Sequence, residues 1–322
     1  MISSDIFETC VRRAALAPTV HNTQPARWRR AGNRLTLLCD TDVGLTVHDP
    51  DGQDAALSCG AVLEGMLLAL SAHLTGADVT LTGRATHPGQ GLVEVAHLAL
   101  RDGTEEGLNK QLEQRFTWRG PFAKTPAQLF GWMRADTRLI LDEPGRRWLA
   151  QANDHASFEI LQNAGFRHEL VSWMRLQDGH PRAGRDGMDR VALRMRKADA
   201  RRADLMLRRL WPVLTRLGAA RRLVSEEGVT LTAPVIALFH VDISENPVTS
   251  GRAYLRLCLE AANLGFAGWP MAAMCDHTET RRDICARFGI PPGRRLVQVI
   301  RFGTPTGAAP PRARRPLNEI VV

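Results

Sequence analysis

Two long, almost uniformly apolar segments constrain the fold more than any other feature of this chain. Residues 54–74 and 250–264 both have helical spacing and carry apolar side chains on most faces. A helix of that kind belongs in the centre of a fold, because every face needs a packing partner. Each segment is followed by short strands. We therefore predict two similar halves, 1–103 and 104–322, each containing one such helix.

The remaining elements follow from periodicity and turn residues. Strands are predicted, the first with a turn at Gly32-Asn33, over 28–40, 79–82, 92–100, 138–141, 233–241 and 296–302. Further helices are predicted over 4–17, 104–114, 125–133, 143–174 and 278–288. The arginine-rich stretch 182–225 is predicted to be a helical insertion, and residues 305–322 an extended C-terminal arm.

The charge distribution bears on possible partners. The chain of 322 residues has a formal net charge of +8, and residues 182–222 alone hold thirteen basic and four acidic side chains. Trp211 is the single aromatic residue in that stretch, so platforms for base stacking are poorly represented. A solvated, arginine-laced helical face is the simpler interpretation, and we expect no nucleic-acid partner.

Cysteine usage and apolar run lengths indicate the compartment. The six cysteines are scattered, with no C-x-x-C pair and no histidine at zinc-finger spacing, so buried free thiols are expected and no metal site. The apolar runs, such as 62–70, are too short to cross a bilayer, and no secretory signal is visible at the N-terminus. We expect a cytoplasmic protein without a membrane partner.

The stretch 115–122 places two guanidiniums and a hydroxyl at alternate positions. In an extended backbone, side chains two apart point to the same side, so Arg115, Thr117 and Arg119 are able to converge on one anion. Guanidinium forks match phosphate geometry, and the hydroxyl adds a neutral donor. A solvated basic loop before an ordinary Gly-Pro turn is the alternative.

A second polar stretch lies between the first helix and the first strand. Residues 17–25 concentrate Thr19, His21, Asn22, Thr23 and Gln24 between two prolines that hold the backbone extended. Such a loop is suited to hydrogen-bond a heteroaromatic ring. A simple helix-terminating turn is the alternative.

Three stretches together resemble the FMN-dependent nitroreductases. The run 17–25 resembles the family's A-P-S-x-x-N-x-Q-P loop, Arg115-x-Thr117-x-Arg119 resembles its R-x-S/T-x-R phosphate motif, and 312–317 resembles its basic C-terminal arm. The resemblance implies an α+β, nitroreductase-like fold. In it, each of the two fused halves has a mainly antiparallel sheet flanked by helices, and the insertion at about 182–225 forms a lid.

The order of the motifs departs from the common family pattern. The family's phosphate motif precedes the loop in each chain of a homodimer, whereas here the loop lies in the first half and the phosphate motif in the second. The resemblance implies one composite FMN site per chain, a monomer that mimics a dimer, with further dimerisation possible. The second site is expected to be missing, since only residues 1–4 precede the first helix and no N-x-Q-P loop occurs over 125–136.

The resemblance also implies the roles of individual residues. Arg115, Thr117 and Arg119, with Arg312 and Arg314, would hold the FMN phosphate. The ribityl chain and the ring would meet Thr19, His21, Asn22 and Gln24. Residues Pro270, Met271, Ala272 and Ala273 match the loop that passes flavin N5, where the amide of Ala272 or Ala273 would donate. No side chain is required as a catalytic acid, because the flavin carries the chemistry.

The implied function is hydride transfer from NAD(P)H through FMN to a small acceptor such as a nitroaromatic or a quinone. The insertion separates this hypothesis from another: a lid that moves fits an oxidoreductase, and a lid that stays closed fits a flavin-sequestering protein with little turnover. An arginine-rich binding module unrelated to flavin is a third hypothesis.

Overall fold

The computed structural model describes residues 2–124 and 132–322, and two four-stranded antiparallel sheets form its framework. The strands are, in chain order, β1 (Ala26–Ala31), β2 (Arg34–Asp40), β3 (Thr75–Leu81), β4 (Leu92–Asp102), β5 (Thr137–Ile140), β6 (Met174–Arg175), β7 (Met188–Asp189), β8 (Val235–Asp242), β9 (Ala267–Pro270) and β10 (Arg294–Gly303).

Helices pack on both sheets. They are α1 (Ser4–Ala14), α2 (Gln53–Ser71), α3 (Glu143–Ile160), α4 (Ala164–Trp173), α5 (Lys197–Leu205), α6 (Trp211–Arg216), α7 (Ala220–Leu223), α8 (Glu227–Thr230), α9 (Pro247–Asn263), α10 (Ala273–Asp276), α11 (Thr278–Phe288) and α12 (Leu317–Ile320). A π-helical turn, Met206–Leu210, joins α5 to α6. The α+β class predicted from the sequence is confirmed.

The two sheets have the same topology. The strand order is β1-β2-β4-β3 in the first and β5-β8-β10-β9 in the second, and every pair in them is antiparallel. In each sheet, a long helix joins the strands that come second and third along the chain. Helix α2 joins β2 to β3 in the first sheet, and α9 joins β8 to β9 in the second. The repeat inferred from the two apolar helices therefore extends to the strands. The boundary at 103/104 stays a prediction.

Helices α2 and α9 cross closely in the centre of the molecule. A Cβ atom added to Gly60 would lie 2.0 Å from the carbonyl oxygen of Val248, and one added to Gly251 would lie 2.0 Å from that of Leu57. The fully buried Glu64 of α2 accepts from Arg252 at 2.7 Å and from Arg256 at 2.5 Å, both on α9. Close backbone contact and a buried ion-pair group thus join the two halves.

Helix α2 is long and apolar enough to cross a membrane by length and composition, and 83% of its apolar window is buried inside the protein. Its neighbours α1 and the first sheet supply that cover through Val11, Leu37 and Leu98. The helix is therefore accounted for as a core element, as its all-round apolar pattern predicted.

The hairpin of β1 and β2 shows how local sequence sets the fold. Ala31 pairs with Arg34 across a turn in which Gly32 has φ +58°, a conformation that suits glycine. Leu35 and Leu37 alternate into the core. The strand with an internal turn predicted over 28–40 is confirmed as this hairpin.

The insertion and the arm differ in part from the prediction. The insertion is helical only from Lys197 onward, because 182–196 forms turns and the short strand β7, which pairs with β6. The arm is extended as predicted but ends in the short helix α12, which the sequence analysis did not foresee. The predicted helix at 125–133 lies mostly outside the described residues.

Candidate functional site

Three predicted phosphate ligands lie together near the C-terminal end of α1. The guanidiniums of Arg115 and Arg314 both donate to the carbonyl oxygen of Leu16, at 2.7 and 3.1 Å, and Arg312 donates to the carbonyl of Glu113. Within the described part of the chain, none of these three arginines has a carboxylate at ion-pair distance. We call Arg115, Arg312 and Arg314 the arginine cluster.

The electrostatics of the arginine cluster are unfavourable for the protein alone. Burial, then the charges of Arg115 and Arg312, lowers the pKa of Arg314 to about 9. Burial also lowers the pKa of Arg115 and, with the charge of Arg115, that of Arg312. Three like charges held close together, with no carboxylate at ion-pair distance in the described part of the chain, suit the binding of an anion.

Arg119 lies apart from the arginine cluster. It donates to the carbonyl oxygen of Ala192 at 3.3 Å, and its guanidinium carbon lies 5.5 Å from the ring centroid of Trp269. Burial is the main cause that lowers its pKa to about 10. The fully buried Arg301 lies over the same indole at 3.9 Å. None of these contacts is shared with the cluster.

Thr117, between the two arginines, pairs with Gly268 of β9 through its backbone. Its hydroxyl makes no hydrogen bond to any described residue. The segment 115–119 therefore lies beside β9 at the edge of the second sheet. The convergence of the Arg115, Thr117 and Arg119 side chains on one anion stays a prediction.

The polar loop before β1 has an unusual backbone. His21, Asn22 and Gln24 have φ of +43°, +56° and +54°, a region that costs a non-glycine residue about 1–2 kcal/mol. The loop is held by side chains: the hydroxyl of Thr19 accepts from the amide of Gln24 at 3.1 Å, and that of Ser58 accepts from Val20 at 3.0 Å. Backbone strain of this kind concentrates at functional sites.

The polar side chains of this loop contact the insertion and the arm. The Asn22 amide donates to the carbonyl oxygens of Gly187 at 3.0 Å and Ala313 at 3.2 Å. The Gln24 amide donates to the carbonyl of Arg185 at 2.8 Å and its oxygen accepts from the Arg315 backbone at 2.9 Å. Residues 185–187 therefore lie directly over the predicted flavin loop.

His21 is half-buried, and its Nε2 atom is shielded from solvent and has no hydrogen-bond partner among the described residues. Burial, then the charges of His48 and Arg119, lowers its pKa to about 3, so the ring is neutral. Its ring centroid lies 5.1 Å from that of His48, which contacts Asp276 at 2.9 Å through Nε2. A neutral imidazole with a free ring nitrogen is able to hydrogen-bond a ligand.

The segment 270–273 leaves two amides free. The Met271 amide donates to the carbonyl oxygen of Val299 at 2.7 Å and its side chain is buried. Ala272 and Ala273 follow Pro270 at the end of β9, and their amides have no acceptor within the described ranges. These are the two amides that the resemblance assigns to flavin N5.

A buried ionic group that sequence reasoning missed connects the insertion to the arm. Asp186, only 1% exposed, binds Arg175 and Arg315 at 2.8 Å each, and also Arg182. We call these four residues the Asp186 network. Arg315 therefore makes a structural contact with Asp186, whereas Arg314 belongs to the arginine cluster. The sequence does not reveal this difference, because the two arginines are adjacent.

Little open space remains at this site. A cavity lined by Arg115, Thr117 and Pro270 has a volume of only about 10 Å³. A cleft of about 730 Å³ lies elsewhere, lined by residues that include Arg134 and Glu260. The arginine cluster and the two amides suit a phosphate and a heteroaromatic ring, and the insertion covers the polar loop beside them.

Comparison with known proteins identifies relatives. "Putative NAD(P)H nitroreductase acg" of Mycobacterium tuberculosis is 32% identical over 189 residues, which are 54% of this chain and 55% of that protein. "Putative NAD(P)H nitroreductase Rv3131" of the same species is 40% identical over 68 residues, 21% of this chain and 20% of that protein. "Uncharacterized protein Rv3127", also from that species, is 24% identical across 98% of this chain and 92% of its own length.

The aligned region spans about half the length of the first of these relatives. Among solved structures, iodotyrosine deiodinase bound to FMN and 3-iodo-L-tyrosine has a TM-score of 0.37 at 16% identity, with 67% of this chain and 97% of that one covered. The nitroreductase NfnB of Mycobacterium smegmatis in complex with NADPH has a TM-score of 0.33 at 16% identity, covering 61% and 86%.

No family model matches the chain. The similarity to two mycobacterial proteins named as putative NAD(P)H nitroreductases nevertheless agrees with the resemblance found in the three motifs.

Proposed function

We propose that this protein is an FMN-dependent oxidoreductase that binds one FMN per chain and passes a hydride from NAD(P)H to a small acceptor such as a nitroaromatic or a quinone. The arginine cluster is the observation that carries the proposal. Three partly or fully buried guanidiniums that lack a carboxylate partner within residues 2–124 and 132–322 favour a bound anion, and a phosphate monoester fits their donors. The nitroreductase names of the relatives supply the reaction class.

Each group of residues at the site would have its own role in binding FMN. The arginine cluster binds and neutralises the phosphate, while the strained loop presents His21, Asn22 and Gln24 to the ribityl chain and the ring. The amide of Ala272 or Ala273 would donate at the N5 edge. FMN, when bound, supplies the hydride chemistry, so the chain needs to provide position, electrostatics and exclusion of water.

Purification with an anaerobic titration tests the proposal. We expect a yellow protein with about one FMN per chain, whose visible absorbance falls on addition of NADPH or NADH and returns with an acceptor. Replacement of Arg115 by Gln should lower the FMN content while the folded state is retained. A protein that takes up no FMN even after incubation with it would contradict the family-based function.

A flavin-sequestering protein is the second candidate, and a specific observation favours it. The insertion hydrogen-bonds to Asn22, Gln24 and Arg119. Its Asp186 also forms an ion pair with Arg315 of the arm. A lid held by so many polar contacts opens seldom. Under this alternative the protein is yellow with bound FMN, but its absorbance resists both nicotinamide donors over many minutes.

A further inference from the structure

The helical part of the insertion, residues 197–223, carries apolar side chains on two faces. Its inner face packs Trp211, Leu207 and Leu214 against Phe158 and Leu161. Its outer face exposes a second apolar set to solvent, between 39% and 73% per residue: Leu205, Leu210, Val213, Leu217 and Leu223. Because the inner face already anchors the segment, the fold does not require the second set.

Unpaired arginines lie among these exposed apolar residues. The segment contains eight basic and two acidic residues. Asp199 and Asp204 are already bound to Arg196 and Arg208, at 2.7 Å each. Four exposed arginines have no carboxylate at ion-pair distance within the described chain: Arg201, Arg209, Arg216 and Arg222. We call these four arginines and the five exposed apolar residues the outer face.

We propose that the outer face docks on the surface of an anionic lipid bilayer. Helices that lie in the plane of a membrane combine a basic surface with leucine-like side chains that enter the boundary between headgroups and acyl chains. The arginines would bind lipid phosphates, while Leu205, Val213 and Leu217 enter that boundary. The inference does not depend on the proposed flavin chemistry, and it revises the expectation that the protein has no membrane partner.

Other occupants fit the outer face less well. A second copy would bring two strongly positive surfaces together, which opposes self-association. Nucleic acid would leave the apolar side chains without a partner, and Trp211, the one aromatic residue of the segment, is only 2% exposed and unable to stack on a base. A protein partner would need a groove that is both apolar and acidic, so that it could cover the five apolar side chains and pair with the four arginines of the outer face.

Co-sedimentation of the full-length protein with lipid vesicles tests the inference. We expect it to pellet with vesicles of phosphatidylglycerol and to stay in solution with vesicles of phosphatidylcholine. Binding should weaken as salt rises from about 0.1 M to about 1 M, because the Debye length falls from about 10 Å to about 3 Å.

Two double variants separate the charged from the apolar contribution. Arg209→Gln with Arg216→Gln should lower the partition coefficient by about 25-fold, at about fivefold per arginine. Val213→Ser with Leu217→Ser should lower it by about tenfold or more, since both side chains are exposed and their loss leaves the inner face intact. Arg34→Gln with Arg84→Gln is a matched charge control, because both are exposed and unpaired in the described structure. Ile243→Ser, at 69% exposure, is the apolar control.

Each result bears on the proposal. Binding to phosphatidylglycerol that both outer-face variants lose and both controls keep supports it. Lack of binding at low salt overturns it, as does binding that survives Val213→Ser with Leu217→Ser. Dimerisation in sedimentation velocity that this variant abolishes, or tighter binding to duplex DNA than to phosphatidylglycerol, assigns the face to another partner and also overturns it.

Discussion

At the scale of single residues, the arginine cluster raises the free energy of the protein when no anion is bound. Arg314 is held beside Arg115 and Arg312, and its pKa is lowered to about 9 by burial first and by those two charges next. A residue selected for folding alone would have a carboxylate beside it. Replacing an arginine of the cluster should therefore change ligand affinity more than the free energy of unfolding, and the two quantities are measurable separately.

Replacement of Arg314 by Gln should affect ligand binding and stability in different ways. We expect FMN affinity to fall by about 10- to 100-fold, because a charge-assisted hydrogen bond contributes about 1.5–3 kcal/mol. The free energy of unfolding without FMN should change by less than about 1 kcal/mol, since relief of like-charge repulsion offsets the lost contacts with Leu16 and Asn22. Quenching of flavin fluorescence and urea unfolding measure the two effects.

Arg34→Gln is the control for this experiment, because Arg34 is exposed and lies in the hairpin. Unchanged FMN affinity in Arg314→Gln, together with a large loss of stability, would show that Arg314 is a structural residue and that the phosphate binds elsewhere.

His21 makes stability depend on pH in a defined direction. Its pKa in the folded protein is lowered to about 3, by burial first and then by His48 and Arg119, against 6.5 in the unfolded chain. The unfolded state therefore binds a proton below pH 6.5 that the folded state does not. The contribution is fully present above pH 6.5 and is lost as the pH falls toward 3.

His21→Asn should flatten this pH dependence. Asparagine tolerates the positive φ of this position and does not titrate. The free energy of unfolding should fall in both proteins between pH 7 and pH 5. We expect the fall to be about 1 to 2 kcal/mol smaller in the variant than in the parent. The exposed His73→Asn serves as control. Parallel pH profiles for parent and His21→Asn would exclude a buried, neutral His21.

Residue types at the site were predictable, but their contacts were not. The alternation at 115–119 predicted a segment rich in anion donors, yet it did not reveal that Arg119 lies against Trp269 while Arg115 lies against Leu16. The adjacent Arg314 and Arg315 are equivalent in sequence. Their separation depends on Asp186, which lies 129 positions from Arg315.

At the scale of secondary-structure elements, the Asp186 network fixes the insertion to the arm. Replacement of Asp186 by Asn leaves Arg175, Arg182 and Arg315 without their shared counter-charge. Loss of one partner from a buried ionic group costs about 3–5 kcal/mol, and that cost falls on the contact between insertion and arm. We expect the insertion to open more often.

Protease digestion and donor kinetics measure that opening. In Asp186→Asn, cleavage within 182–196 should be faster, and the flavin absorbance should fall more rapidly with NADPH. Asp178→Asn is a suitable control, because this carboxylate binds Arg190 and Lys197 at an exposed position of the same region. If Asp186→Asn digests and reduces like Asp178→Asn, the network does not hold the lid.

The elements themselves were largely predictable where periodicity is strong. The predicted helix 278–288 matches α11, and the predicted strand 296–302 lies within β10. Helix α12 was missed because four residues are too few to show a period. Residues 182–196 were assigned to a helix by their charge, whereas their turns are set by contacts with the distant Asn22 and Gln24.

At the scale of the whole molecule, the crossing of α2 and α9 joins the parts that form the candidate site. Gly60→Ala would place a methyl group in the position now taken by the Val248 carbonyl. The helices would have to move apart, and we expect a loss of about 3 kcal/mol or more in the free energy of unfolding. FMN binding should weaken too, because the polar loop hydrogen-bonds to Ser58 of α2, whereas Arg115 of the arginine cluster lines a cavity with Tyr254 and Cys258 of α9.

Gly228→Ala is the matched control, since an added Cβ at this helical glycine of α8 meets no atom within 4 Å. It should be neutral or slightly stabilising. Gly251→Ala should resemble Gly60→Ala, and the double variant should cost less than the sum, because one displacement relieves both clashes. Wild-type stability in Gly60→Ala would rule out the close crossing.

Glu64 shows what covalent fusion permits at this crossing. If two identical subunits met through these helices, every acidic side chain would occur twice, and each helix would have to carry both the acid and its partners. Here the acid is on α2 alone and both arginines are on α9. One polypeptide can therefore specialise its two central helices as opposites, so that each recognises the other and neither is complementary to itself.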